Sequence, residues 1–106
     1  MNPTRLDITV EPGPTGATIA VTGELDMSTA DRLVTTVTDA LSGDADGRLS
    51  VDLSGVGFCD SAGIRALVRL RKVADQAGLS LELLNPTPVV RRVLELSGLV
   101  DHLNVR

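Results

Sequence analysis

The sequence predicts an α/β fold: a small mixed β-sheet with helices packed mainly on one face, in the order β-β-α-β-α-β-α with or without a final β. Three observations carry that expectation. Hydrophobic spacing switches along the chain between a period of two and a period near 3.6. The candidate strands carry apolar residues on one side and Thr, Ser, Asp and Glu on the other, so helices need cover only one face. The 106 residues, 42% hydrophobic and 23% charged, have ordinary globular composition, and residues 1–106 read as one domain.

"RLDITVE" (5–11) alternates, with Leu6, Ile8 and Val10 on one side. "ATIAVT" (17–22) repeats the pattern with Ala17, Ile19 and Val21, and the five turn formers "PGPTG" between them predict a hairpin. From "TGELDMSTADRLVTTVTDALSG" onward the period changes: Ala30, Leu33, Val34, Val37, Ala40 and Leu41 make a helical stripe. Ser28 with Asp31 three residues on is its expected N-cap pair, and Gly43 its stop. "DADGR" (44–48) reads as a polar linker, "LSVDL" (49–53) as a strand and "SGVGFCD" (54–60) as a loop.

A second helix is expected from about Ser61 to Ala77, with Leu67, Leu70, Ala74 and Ala77 inward and Arg65, Arg69, Lys72 and Asp75 toward water; Gly78 ends it. "SLELL" (80–84) is the next strand. Thr87 as cap and Pro88 at the first helical position open a third helix to Leu96, which Gly98 stops. "DHLNV" (101–105) is the optional last strand. Two βαβ crossovers imply parallel pairs, and the hairpin adds an antiparallel one.

Composition also excludes function classes. A net charge of −4 with a single aromatic residue provides neither a basic footprint nor a stacking platform for nucleic acid. The single cysteine, Cys59, cannot close an intramolecular disulfide, which fits a reducing compartment. "MNPTRLDITV" lacks a signal pattern and no apolar run reaches membrane-span length, so a cytoplasmic protein without a membrane partner is expected. Nine of ten basic residues are arginine, a bias that suits a GC-rich bacterial genome.

Chemistry points to "FCDSAGIRAL" (58–67), where Asp60 and Ser61 precede a helix. A serine-hydrolase reading requires Gly two residues before the serine, where Cys59 stands. It also requires a histidine base, and His102 beside Asp101 is a poor candidate. One His and one Cys far apart lack metal-ligand spacing, and Asp26, Asp52 and Asp60 read as solvated loop residues. Gly55, Gly57 and Gly63 match neither phosphate-binding glycine pattern, so no cofactor is expected. The chain reads as a non-enzyme. Two readings of the serine stay open from the residues alone. Asp60 or Ser61 caps the helix, or Ser61 is modified, because free N–H groups and the helix dipole at its start tolerate a phosphate.

"VTGELD" (21–26), "VDLSGVGFCDSAGIRAL" (51–67) and "LSGL" (96–99) stand in the order and spacing of STAS domains. The chain resembles above all the bacterial anti-sigma factor antagonists, or anti-anti-sigma factors, over essentially its whole length, so a single STAS domain spans 1–106. The resemblance implies a partner-switching phosphoprotein of transcription regulation. Its partner is an anti-sigma factor with serine kinase activity, which the unphosphorylated antagonist binds to release a sigma factor. Phosphorylation at Ser61 switches binding off, and a PP2C-type phosphatase resets it. The motif aspartate is Asp60 and the turn glycine Gly63, while Asp26 closes "GELD" at the same sheet end. Ala62 departs from members with a second hydroxyl there, leaving Ser61 the sole acceptor in the motif. Ile64, with Val68, is expected on the partner-binding face, core packing being the equal alternative. An unphosphorylated STAS scaffold or sensor module in a larger complex is the alternative function.

Overall fold

Seven elements follow in the expected order: β1 (Leu6–Gly13), β2 (Gly16–Leu25), α1 (Ala30–Ala40), β3 (Gly47–Cys59), α2 (Ser61–Gln76), β4 (Leu79–Leu84) and α3 (Pro88–Leu96). They belong to a computed structural model that describes residues 6–14, 16–41 and 47–106. Arg5, Thr15, the Gly43 stop and the 44–46 part of the linker lie outside the described residues.

The four strands form one sheet in the order β1-β2-β3-β4, antiparallel at β1/β2 and parallel at β2/β3 and β3/β4. Alternation does the sorting. Leu6, Ile19, Val21, Leu49, Val51, Leu53, Leu81 and Leu83 turn to one side and join Leu33, Val37, Leu67, Leu70, Val90 and Leu94 from the three helices in a single core cluster. Thr9, Thr18, Ala20 and Thr22 on the other side are exposed. That side holds one exception: Glu82 is buried, with Ser50 Oγ donating to it at 2.7 Å and Arg48 3.7 Å away. The buried carboxylate is thus hydrogen-bonded and charge-paired, as such burial requires.

The helix signals hold where caps and stops agree. Thr87 Oγ accepts from Val90 N and donates to Val56 O at 2.8 Å, Pro88 takes the first turn, and Gly78 and Gly98 follow α2 and α3 with the positive φ of helix stops. α2 keeps its inward stripe, although Ala77 is the cap residue and only half-buried. An ion pair between Arg69 and Asp31 at 3.0 Å links α1 and α2, but both side chains are more than half exposed, so it contributes little.

Six expectations need correction. The hairpin turn is tighter than "PGPTG", because Gly13 pairs with Gly16 and both strands run further than the turn formers indicated. β2 continues to Leu25 through residues assigned to the helical period. Gly47 and Arg48 of the linker begin β3, and "SGVGFCD" is not a loop: β3 runs on to Cys59 alongside β2. Register shifts between Ala20 and Thr22 and between Gly23 and Glu24 break the two-residue alternation there, which hid the strand. Ser28 does not cap α1; Thr29 occupies that position, without a side-chain cap bond, because Ser28 is drawn to Asp26. Finally, "DHLNV" forms turns and a single bridge, Leu83 to Val105, because Asn104 adopts a left-handed φ of 51° that interrupts an extended run. The segment still buries Leu103 and covers the edge of β4, with Leu83 N donating to Asn104 O and Arg106 N to Leu83 O.

Candidate functional site

β2 and β3 end side by side, with Leu25 paired to Cys59, and Asp60 N donates to Leu25 O at 3.1 Å as one more rung. The chain then turns into α2. Asp60, in extended conformation, is its N-cap: Oδ1 accepts from Ala62 N at 2.9 Å and Gly63 N at 3.0 Å, and its carbonyl accepts from Ile64 N. Ser61 is therefore the first helical residue. It is exposed, and its hydroxyl has no hydrogen-bond partner among the described residues.

Two buried groups hold this turn against the strands. A Cβ on Gly63 would lie 2.5 Å from Leu25 O and 2.8 Å from Cys59 Sγ, so only glycine allows α2 to seat this closely. Cys59 itself is buried; burial first, and the neighbouring Asp60 charge second, push its thiol up to about 11. It stays a neutral packing group at any physiological pH.

Asp26 follows directly on Leu25, at the same sheet end as Asp60. Its Oδ1 accepts from Ser28 Oγ at 2.7 Å and Ser28 N at 2.9 Å, and Thr29 Oγ, which donates to Glu24 O, receives Asp26 N. The Ser28 hydroxyl, aided by the Ser28 amide and the Thr29 groups against partial desolvation, holds the Asp26 carboxyl below its ordinary value. Because the folded value lies below the unfolded one, the stabilisation is complete above the unfolded pKa of about 3.9 and is lost as pH falls through the folded value. Ser28→Ala is expected to move the Asp26 titration upward in carboxyl NMR and to flatten the loss of thermal stability on acidification. An unmoved titration would assign the depression to some other group.

The structure thus gathers Asp26, Asp60, Ser61, Ala62 and Gly63 at one end of the sheet, and separates the other candidates. Asp52 lies higher on β3, paired with Ala20 and Leu84, and accepts from Ser54 N at 2.9 Å. No group of three His, Cys, Asp or Glu side chains among the described residues is placed to hold a metal ion. His102 is exposed in the C-terminal turn, where its carbonyl accepts from Arg71 Nη1. Arg71 stands ten residues along α2 from Ser61, about 15 Å of helix. Among the described residues no helix is long and apolar enough to cross a membrane.

The geometry bears on two readings of the site. Ile64 and Val68 are half-buried and pack against the core, whereas Met27 is 83% and Phe58 46% exposed. Phe58 lies two residues before Asp60, and Met27 follows Asp26 just past the Leu25–Cys59 pair, so these two supply open apolar surface at the sheet end that carries the serine. An apolar residue in an otherwise polar loop, and the only aromatic side chain, were the available signals. The expectation of free helix N–H groups also fails for two donors, since Asp60 Oδ1 already holds the Ala62 and Gly63 amides.

Comparison with known proteins adds a family. The profile described as "Mlab, STAS domain" matches residues 8–104. An anti-sigma F factor antagonist from Lysinibacillus sphaericus is 32% identical over 82 residues, 76% of this chain and 69% of that protein. An anti-sigma factor antagonist from Mycobacterium paratuberculosis superposes with a TM-score of 0.78 at 27% identity, over 94% of this chain and 84% of the other. The anti-sigma factor antagonist SpoIIAA in its unphosphorylated form gives 0.69 at 27% identity, over 88% and 82% of the two chains. The Bacillus cell fate determinant SpoIIAA in the phosphorylated form gives 0.65 at 26% identity, over 90% and 86%.

Proposed function

Because this chain belongs to the STAS domain family, we propose that it is a cytoplasmic anti-sigma factor antagonist, a binding protein and not an enzyme. It binds an anti-sigma factor that is also a serine kinase and thereby frees a sigma factor. Phosphorylation at Ser61 switches binding off, and a PP2C-type phosphatase restores it. Asp26, Asp60, Ala62 and Gly63 shape the docking end, with Met27 and Phe58 as its apolar contacts and Ile64 as support beneath.

One observation carries this reading: the Ser61 hydroxyl is exposed, and has no partner among the described residues, at the first position of a helix that another residue caps. A kinase can reach the oxygen without breaking a bond of the fold. The added phosphate brings about −1.5 to −2 charges to the surface at neutral pH. Likeness to SpoIIAA in both phosphorylated and unphosphorylated forms supports a switch that leaves the fold in place.

Incubation with ATP and the candidate anti-sigma kinase, followed by intact and peptide mass spectrometry, is expected to show one phosphate, on Ser61. Ser61→Ala should accept none and still bind the kinase. Phosphate on the alanine variant at the wild-type level would remove the assignment.

A further inference from the structure

The helix-free face of the sheet carries a concavity of about 520 Å³, at the end where β2 and β3 begin and away from Ser61. Its size suits a small molecule. Thr18, Ser50 and Glu82 line it as one row across β2, β3 and β4, and Arg48 borders them two residues before Ser50. Gly13 and Gly16, where the hairpin closes, add no side chain to fill it.

Glu82 is the charged residue that the fold buries among the described residues, and its two oxygens are not treated alike. Oε2 accepts from Ser50 Oγ at 2.7 Å, whereas Oε1 accepts no hydrogen bond among the described residues. Its ion-pair partner, Arg48 Nη1, stands 3.7 Å away, too far for a hydrogen bond. The Arg48 side chain is 66% exposed, and its guanidinium donates to no described residue. A buried acceptor without a donor thus stands beside a guanidinium without an acceptor, at one concavity. An unfilled buried acceptor of this kind is costly and calls for a donor.

We propose that the concavity binds a small zwitterion whose ammonium and carboxylate lie close together, the chemistry of a free α-amino acid. The ammonium donates to Glu82 Oε1, and the carboxylate accepts from the fork of the Arg48 guanidinium. The charges select this class. A simple anion would meet the Glu82 carboxylate, and a simple cation would meet Arg48. A zwitterion enters between two groups whose 3.7 Å separation leaves no hydrogen bond to break, and it leaves the net charge of the site unchanged. No aromatic side chain lines the concavity, so a base has nothing to stack on. The site does not depend on the functional reading of Ser61.

Two-dimensional NMR of the full chain, labelled with nitrogen-15 and titrated with glycine and with L-serine to about 20 mM, the range of weak binding, tests it. Saturable shifts are expected in the amides of residues 16–18, 48–50 and 80–82, with those of 61–64 unmoved. Arg48→Met and Glu82→Gln should each weaken binding at least about tenfold, the loss of one charged hydrogen bond. Arg48 is exposed, and the glutamine retains the shape of Glu82, so the same spectra verify that both variants keep the fold. Ethanolamine and acetate, each carrying one of the two charges, should bind at least tenfold more weakly than the amino acids. Absence of saturable shifts with either amino acid overturns the proposal, as do shifts confined to other residues or wild-type affinity in Arg48→Met. So does ethanolamine, acetate or neutral glycerol binding as tightly as the zwitterion.

Discussion

Phosphorylation of Ser61 is expected to weaken binding to the anti-sigma factor roughly 30- to 3,000-fold. The factor follows from a cost of about 2–5 kcal/mol for burying an uncompensated charge at an interface, at about 1.4 kcal/mol per decade. The site offers little compensation. Of the first three helix amides, Ala62 N and Gly63 N are already held by Asp60 Oδ1, which leaves that of Ser61 itself. Asp60 and Asp26, the acidic residues at this sheet end, have the same sign as the phosphate. The phosphate therefore stays turned outward, toward the partner. Isothermal titration calorimetry on the separated forms reads the ratio, and Ser61→Glu should reproduce part of it with its single charge. Asp60→Ala should narrow the gap, because it releases both amides to the phosphate, at a loss of about 1 kcal/mol in stability for the missing cap. Equal affinity of the two forms would sink the electrostatic switch.

The parts of the fold that could be read from residue order were those where local signals agree. α3 is the best case: Thr87, Pro88 and Gly98 mark its ends, and one apolar period runs between them. The strand face toward the core was equally plain, since Leu49, Val51 and Leu53 alternate without interruption. Beyond Leu53 the signal fails. Val56 and Cys59 are buried three residues apart, a spacing that matches no regular strand, and only the shifted pairing with β2 explains it. The same limit applies at the site. Asp60 and Ser61 stand out in the sequence as a helix start, but which of them caps depends on backbone torsions that residue type leaves open. That Asp26 stands beside them follows from the parallel pairing of Leu25 with Cys59, a contact between residues distant in the chain. The exposure of Met27 likewise depends on the turn made by Asp26, Ser28 and Thr29.

Gly63→Ala is expected to destabilise the protein by about 1–3 kcal/mol, as overpacking of a close contact does, and to lower the melting temperature by roughly 4–20 °C for a domain of this size. The added methyl would sit 2.5 Å from a backbone carbonyl, Leu25 O, and 3.0 Å from Leu25 Cγ, with Cys59 Sγ at 2.8 Å. None of these atoms is the loose end of a flexible side chain, so α2 must move away from the strand ends. That movement pulls on the rung from Asp60 N to Leu25 O and on the Asp60 cap together. Gly57 provides the control within the same segment. Its Cβ would meet nothing within 4 Å, so Gly57→Ala should change stability by no more than about 0.5 kcal/mol, as for other unconstrained surface positions. Thermal denaturation of the two variants side by side distinguishes a glycine required by packing from one that is not. If both melt together with the wild type, α2 is not seated on Leu25 and Cys59 as described. If Gly63→Ala alone melts early, the glycine two residues after Ser61 serves to fix where that serine is presented, because the contact it permits sets the distance between α2 and the strand that carries Asp26.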